Sequence, residues 1–201
     1  MNQFNTLANT WDDNTNRINY SEAIGDYISA HINKEQRLQA IEVGAGTGTL
    51  SVLLEKHFSR IDLLDSAKAM IEETTKKLEK SNIYHLTPIH GYINTFKAKV
   101  EYDVVYSAMF LHHIIETDIV LSKLGNLLTK GGKLFLCDLY TEDGRFHPNT
   151  TEGVYHHGFD PDTIANMLKT IGFAINNIET IYNFDRHDRL YPMFLIEATK
   201  L

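Results

Sequence analysis

The chain has 201 residues, 43% of them hydrophobic and 22% charged, which is the composition of one globular domain rather than of a fibrous or disordered chain. Twenty-six acidic residues against nineteen Lys and Arg leave a formal charge of −7; that balance repels the phosphate backbone that dominates nucleic-acid affinity, and no local basic patch offsets it. The single cysteine, Cys137, excludes an internal disulfide and a thiolate metal cluster. With no leader-like N-terminus and no apolar run near the ~20 residues that span a bilayer, the expectation is a cytoplasmic protein with neither a nucleic-acid nor a membrane partner.

Taken in order, Tyr20, Ile24, Tyr27, Ile28 and Ile32 recur at helical spacing and predict a helix ahead of any strand. Leu38 to Val43 reads as the first strand, and Leu50, Leu53, Leu54 and Phe58 mark one face of the helix after it. Ile61 to Leu64 is a second strand, Ala67 to Lys80 a charged helix, Tyr84 to Pro88 a third strand and Tyr102 to Tyr106 a fourth. A helix over 117–128 follows, and Lys130-Gly131-Gly132 stops it before a fifth strand from Lys133 to Leu139.

A long loop then runs from Tyr140 to His157. Asp160 caps a helix that begins with Pro161 and ends at Gly172. Phe173 to Tyr182 and Met193 to Thr199 are two more strands, separated by the polar run Asn183 to Arg189, which suits an antiparallel hairpin and is too short for a parallel crossover. Short apolar runs alternating with amphipathic stretches predict an α/β domain: a Rossmann-like, seven-stranded, mostly parallel sheet with an antiparallel C-terminal hairpin and helices on both faces.

The first strand runs into Ile41-Glu42-Val43-Gly44-Ala45-Gly46-Thr47-Gly48. Glycines at such a turn let a ligand approach the backbone, and the following helix start offers unpaired N–H groups. A GxGxxG dinucleotide fingerprint would need glycine at position 49, where Thr49 stands, and no Lys followed by Ser or Thr completes a P-loop. Glu42, two places ahead of Gly44, brings negative charge that favours a cationic or amine-bearing ligand over a pyrophosphate. The second strand ends in Asp65, where a carboxylate can accept two hydrogen bonds from a ribose diol or, alternatively, cap the helix after it.

With the glycine turn and Asp65 in place, the chain resembles the class I S-adenosylmethionine-dependent methyltransferases over nearly its whole length. Ile41 to Gly48 resembles their first motif, Asp65 their ribose-binding acid, Tyr102 to His113 the fourth-strand segment and Leu127 to Leu139 the fifth-strand motif. Phe110-Leu111-His112-His113-Ile114 is similar to members acting on small metabolites. The resemblance implies one methyltransferase domain over 1–201, with residues 1–34 as a helical cover and 35–201 as the Rossmann-like core. It also implies S-adenosyl-L-methionine as cofactor and S-adenosyl-L-homocysteine as product. Cofactor contacts are expected at Glu42, Gly44, Ala45, Gly46, Gly48, Asp65, Ser66, Met70, Gly91, Tyr92, Ile93, Ser107, Ala108 and Met109. One departure stands out: where the family carries an acid for the adenine amino group, this chain has Gly91-Tyr92-Ile93, and Tyr92 offers a ring and a hydroxyl instead.

Absences narrow the subclass. Ser107-Ala108-Met109-Phe110 lacks the Pro-Pro-aromatic signature of amino-methylating enzymes, and Cys137, in mid-strand, suits the core better than a nucleophile. A hydroxyl or ammonium acceptor must lose a proton, for which His112, His156 and His157 are the candidates; each also has a bland reading as a packed or solvated side chain. His112 and His113, if helical, diverge by about 100° and do not share one metal, and no metal is expected. Trp11, Arg17, Tyr20, Tyr140 and His147 are candidate acceptor contacts, with Trp11 equally able to anchor the first helix. The expected partner is a small-molecule methyl acceptor; a non-catalytic cofactor-binding module on the same fold is the competing reading. No heptad seam or apolar patch indicates an oligomeric state.

Overall fold

The computed structural model describes residues 3–33, 36, 38–147, 153–186 and 188–201; the expected cover–core boundary at 34/35 lies outside them. The described elements are α1 (Gln3–Leu7), a 3-10 segment (Ala8–Asp13), α2 (Thr15–His31), β1 (Gln39–Val43), α3 (Thr49–Leu54), β2 (Arg60–Asp65), α4 (Lys68–Ser81), β3 (Leu86–His90), β4 (Tyr102–Ala108), a 3-10 turn (Leu111–His113), α5 (Thr117–Leu127), β5 (Leu128–Leu139), α6 (Pro161–Thr170), β6 (Phe173–Arg186) and β7 (Arg189–Lys200). Seven strands lie in the order β3-β2-β1-β4-β5-β7-β6. The β1–β2, β1–β4, β2–β3 and β4–β5 pairs are parallel, whereas β7 runs antiparallel to both β5 and β6.

Two-residue alternation along the strands builds a core on each face. Ala40, Leu63, Val104, Phe135 and Leu195 point to the side where α2, α3 and α4 bring Ile24, Ile28, Leu50, Leu54 and Leu78. Their neighbours Ile41, Leu64, Val105, Leu134 and Phe194 point to the opposite side, against Val120, Leu124, Ile164 and Leu168 of α5 and α6. Asp160 accepts the Asp162 N–H ahead of α6, with Pro161 in its first turn, as the sequence suggests; the Asn14 side chain likewise accepts the Asn16 N–H ahead of α2.

Several boundaries differ from those expected. β3 is displaced to Leu86–His90, because pairing Leu86 with Ile61 and His90 with Asp65 sets its register. β5 begins at Leu128 instead of Lys133, absorbing Gly131 and Gly132 at an irregularity opposite Tyr102 and Val104. The polar run Asn183 to Arg189 is not a loop: Asn183 pairs with Pro192 and Arg186 with Arg189, so β6 and β7 extend almost to their turn.

Candidate active site

The C-terminal ends of β1, β2 and β4 open into a cleft of about 450 Å³, at the switch point where ligands bind in open parallel sheets. Its lining includes Glu42, Gly44, Ala45, Gly46, Asp65, Ser66, Met70, Gly91, Tyr92, Ile93, Ala108 and Met109, joined on the cover side by Trp11, Arg17 and Tyr20. The sequence-predicted cofactor residues therefore converge, with two exceptions. Gly48 and Ser107 do not line the cleft: Gly48 turns the chain into α3 with φ +72 against Leu63 and Thr74, and the Ser107 hydroxyl donates to the Val43 carbonyl at 2.7 Å, tying β4 to β1.

Gly44 is required by both backbone and space. Its φ is +76, and a Cβ there would lie 2.5 Å from the Phe110 ring. Gly44→Ala is expected to lower the melting midpoint by several degrees, at roughly 2–4 °C per kcal/mol for a domain of this size, and to weaken cofactor binding at least tenfold; calorimetry and thermal melts of the variant check both. Across the cleft, Met109 holds a left-handed backbone at φ 54, a strained conformation of the kind found at ligand sites.

Asp65 does more than either sequence reading foresaw. One carboxylate oxygen accepts the Gly46 N–H and the other the Ala67 N–H, each at 2.7 Å, so it braces the glycine turn and closes the turn into α4, whose N-cap is Ala67. Burial pushes its pKa up, against the opposing pull of those N–H groups. Glu42 is buried and accepts from the Ser51 hydroxyl, which in turn takes a hydrogen bond from Tyr106 at 2.6 Å. Burial drives the Glu42 pKa up to about 8, and neighbouring Asp65 adds to the rise, so the carboxyl favours its protonated form at neutral pH.

The cover is latched by residues that sequence reading did not single out. Asp12 accepts from the Thr47 hydroxyl at 2.6 Å and the Thr49 hydroxyl at 3.0 Å, and pairs with Lys77 of α4 at 2.7 Å. Burial works to raise the Asp12 pKa, but Lys77 and the hydroxyls outweigh it and hold the carboxyl below its ordinary value. The Asn5 side chain also accepts the Ala69 N–H. No local pattern announces contacts between residues separated by more than thirty positions, which is why Asp12 escaped notice. Asp12→Ala is expected to cost about 1–2 kcal/mol in stability and to accelerate proteolytic cleavage of the segment before α2, read by melts and limited proteolysis.

Within the cover, the Arg17 guanidinium lies 3.4 Å from the centre of the Trp11 ring and donates to the Trp11 carbonyl. Trp11 is thus both an anchor and a wall of the cleft. Tyr20 packs edge-on to Tyr182 and Phe184, and burial pushes its pKa up to about 12, so its hydroxyl stays protonated. Tyr140 is not in the cleft wall; its hydroxyl meets Thr180 at the sheet edge. Phe4, Asn94 and Tyr155, which the sequence reading passed over, are in the wall.

The histidines are arranged differently from expectation. His113, and not His112, lines the cleft. His112 is buried behind it, its Nδ1 donating to Asp138 at 2.7 Å. His156 donates through Nε2 to the Ile114 carbonyl, and His157 stands beside Glu142 at 3.2 Å; neither lines the cleft, and nor does His147. Residues 111–113 form a single 3-10 turn and not a helix body; successive side chains leave such a turn about 120° apart, so the approach of the two rings is set by their hydrogen-bond partners. Asp138 draws one ring and the Gly153 carbonyl the other, leaving the ring centres 3.9 Å apart. Burial, then the neighbouring His112, pushes the His113 pKa down to about 4; burial, with His112, His113 and Arg186 close by, brings His147 to about 3. Burial favours protonation of Asp138, but His112 outweighs it and keeps the carboxyl ionised.

This architecture, with its glycine turn, strand-end acid and cleft, has the fold of the class I S-adenosylmethionine-dependent methyltransferases. Residues 41–134 match the family described as "Methyltransferase domain". An uncharacterized methyltransferase of Schizosaccharomyces pombe is 30% identical over 164 residues, covering 74% of this chain and 57% of the yeast protein; the chain thus spans little more than half the length of that relative. One from Bacillus cereus is 26% identical over 98% of this chain and 96% of its own. Among solved structures, the Haloferax volcanii methyltransferase chain in complex with the Trm112 methyltransferase activator superposes with a TM-score of 0.79 at 14% identity, over 100% of this chain and 98% of that one. No helix among the described residues is long and apolar enough to cross a membrane.

Proposed function

We propose that the protein transfers the methyl group of S-adenosyl-L-methionine to a small-molecule acceptor bound beneath the N-terminal cover. The observation that carries this reading is that one cleft is walled by the glycine turn, by Asp65 and by cover residues Phe4, Trp11, Arg17 and Tyr20. A latched roof over a cleft of about 450 Å³ suits a compact acceptor and excludes bulk water around the reacting centre.

In this reading the backbone from Gly44 to Thr47, together with Glu42, receives the methionine end, Asp65 and Ser66 the ribose, and Met70 and Gly91 to Asn94 the adenine. Tyr92, more than half exposed, covers the adenine with its ring, and the Asn94 amide supplies both a donor and an acceptor where the family's acid is missing. Ala108 and Met109 form the floor. The acceptor lies toward Trp11, Arg17, Tyr20 and His113. The sulfonium carbon already carries a good leaving group, so alignment with the acceptor supplies most of what the chain must contribute, ~7–11 kcal/mol for a well-oriented pair. His112, His156 and His157 stand outside the cleft wall and receive no proton-transfer role.

The test is transfer of labelled methyl from S-adenosylmethionine into a fractionated metabolite extract, with Gly46→Val as control. Gly46 has φ +55 and faces the Trp11 indole, so a β-branched residue there both strains the turn and crowds the cleft. Label is expected in a low-molecular-mass fraction with the parent protein and not with the variant. Absence of any melting shift with millimolar S-adenosylmethionine or S-adenosylhomocysteine, together with no label transferred, would remove the reading.

A further inference from the structure

Behind the cleft wall, the 3-10 turn after β4, the end of β5 and the loop after it bring three histidines together. We propose that His112, His113 and His147 form a binding site for one divalent transition-metal ion of the Zn²⁺ class. The inference stands independently of the methyl-transfer reading.

One ring nitrogen from each residue lies within 4.8 Å of the others, and the ring centres are 3.9, 5.2 and 6.0 Å apart. Hydrogen bonds set the tautomers. A carboxylate and a carbonyl can only accept, so Nδ1 of His112 carries the proton donated to Asp138, and Nδ1 of His113 the proton donated to the Gly153 carbonyl at 2.6 Å. In its neutral form, which metal ligation requires, each ring keeps a lone pair on Nε2. In His112 that atom is fully buried and is the buried side-chain nitrogen left without a hydrogen-bond partner among the described residues. An orphaned buried acceptor is costly, and a cation held by the neighbouring histidines would satisfy it.

The surroundings fit the same reading. Asp138 on the far side of His112 reproduces the carboxylate–histidine–metal arrangement that orients a ligand ring and raises its basicity, and its buried negative charge offsets that of a cation. Three imidazoles without a carboxylate in the ligand set favour Zn²⁺, Co²⁺, Ni²⁺ or Cu²⁺ over Mg²⁺ or Ca²⁺. Tetrahedral Zn–N bonds of ~2.0–2.1 Å would hold the nitrogens about 3.3 Å apart, so the ion draws the rings together, with loop-borne His147 making the main adjustment. Three protein ligands leave a fourth position open, and His113 sets the site at the cleft wall.

The test uses tag-free, full-length protein freed of metal with a chelator and titrated with Co²⁺, followed by Zn²⁺. The expected result is one Co²⁺ per chain with visible absorption of low-coordinate cobalt, bleached by Zn²⁺. His147→Ala is expected to weaken Co²⁺ binding at least tenfold, and Asp138→Asn by 10–100-fold, the usual effect of losing such an orienting partner. S-adenosylhomocysteine binding by each variant, followed by thermal shift, reports folding: His147→Ala that binds this nucleoside but not Co²⁺ supports the site. Parent protein with no stoichiometric Co²⁺, or folded His147→Ala that binds it as tightly as the parent, overturns the proposal. Cobalt binding without any binding of S-adenosylmethionine or S-adenosylhomocysteine would leave the metal site standing and remove the methyl-transfer reading.

Discussion

Asp65→Ala is expected to weaken binding of both S-adenosylmethionine and S-adenosylhomocysteine by 100-fold or more. The substitution removes the proposed ribose acceptor and also the acceptor of the Gly46 and Ala67 N–H groups, so the glycine turn loses its brace at the same moment. Hydrogen bonds to a charged group are each worth about 1.5–3 kcal/mol, and ~2.7 kcal/mol already corresponds to 100-fold. Asp65→Asn should recover only part of the loss, because its NH₂ must face one of two backbone donors. Titration calorimetry with both nucleosides measures the effect, and an alanine variant with affinity within threefold of the parent would defeat the role assigned to Asp65.

The second large effect is a pH dependence centred on Glu42. Its carboxyl sits near 4.5 when exposed and is raised to about 8 in the folded protein, chiefly by burial. Between those values the native state keeps a proton that the unfolded chain has released, so stability conferred by this group is full below about 4.5 and is lost as pH rises toward 8, at up to about 1.4 kcal/mol per unit. Glu42→Gln, neutral throughout, should flatten that decline in the apoprotein. A cation in the cleft favours the carboxylate, so cofactor binding near pH 7 should release a proton from the parent and not from Glu42→Gln. Calorimetry in two buffers of different ionisation enthalpy reads that proton directly; equal release from both proteins would show that Glu42 does not face the cofactor's charge.

Much of the fold was legible because its determinants are local. The short apolar runs Ile61 to Leu64 and Leu134 to Leu139, the Asp160 cap and the glycine turn act over a few residues each. Strand ends were read less well. Tyr84 is exposed and unpaired in the sheet while His90 is paired with Asp65, a register set by β2 and not by the β3 sequence. Asn183 to Arg189 reads as a loop by composition, yet a hairpin at the sheet edge accepts polar side chains as long as the backbone pairs.

For the site, residue identity and spacing alone determined the glycine turn, the strand-end acid, the exclusion of a P-loop and the departure from the dinucleotide fingerprint, because backbone permissiveness and ligand charge follow from local sequence. Tertiary structure decided the rest. It seated Asp12 on Thr47, Thr49 and Lys77, gave Asp65 two backbone N–H groups to hold, protonated Glu42 by burial, and turned His113 toward the cleft while gathering His112 and His147 behind it. Each of these depends on burial or on contacts between distant segments, and neither is encoded in the order of neighbouring residues.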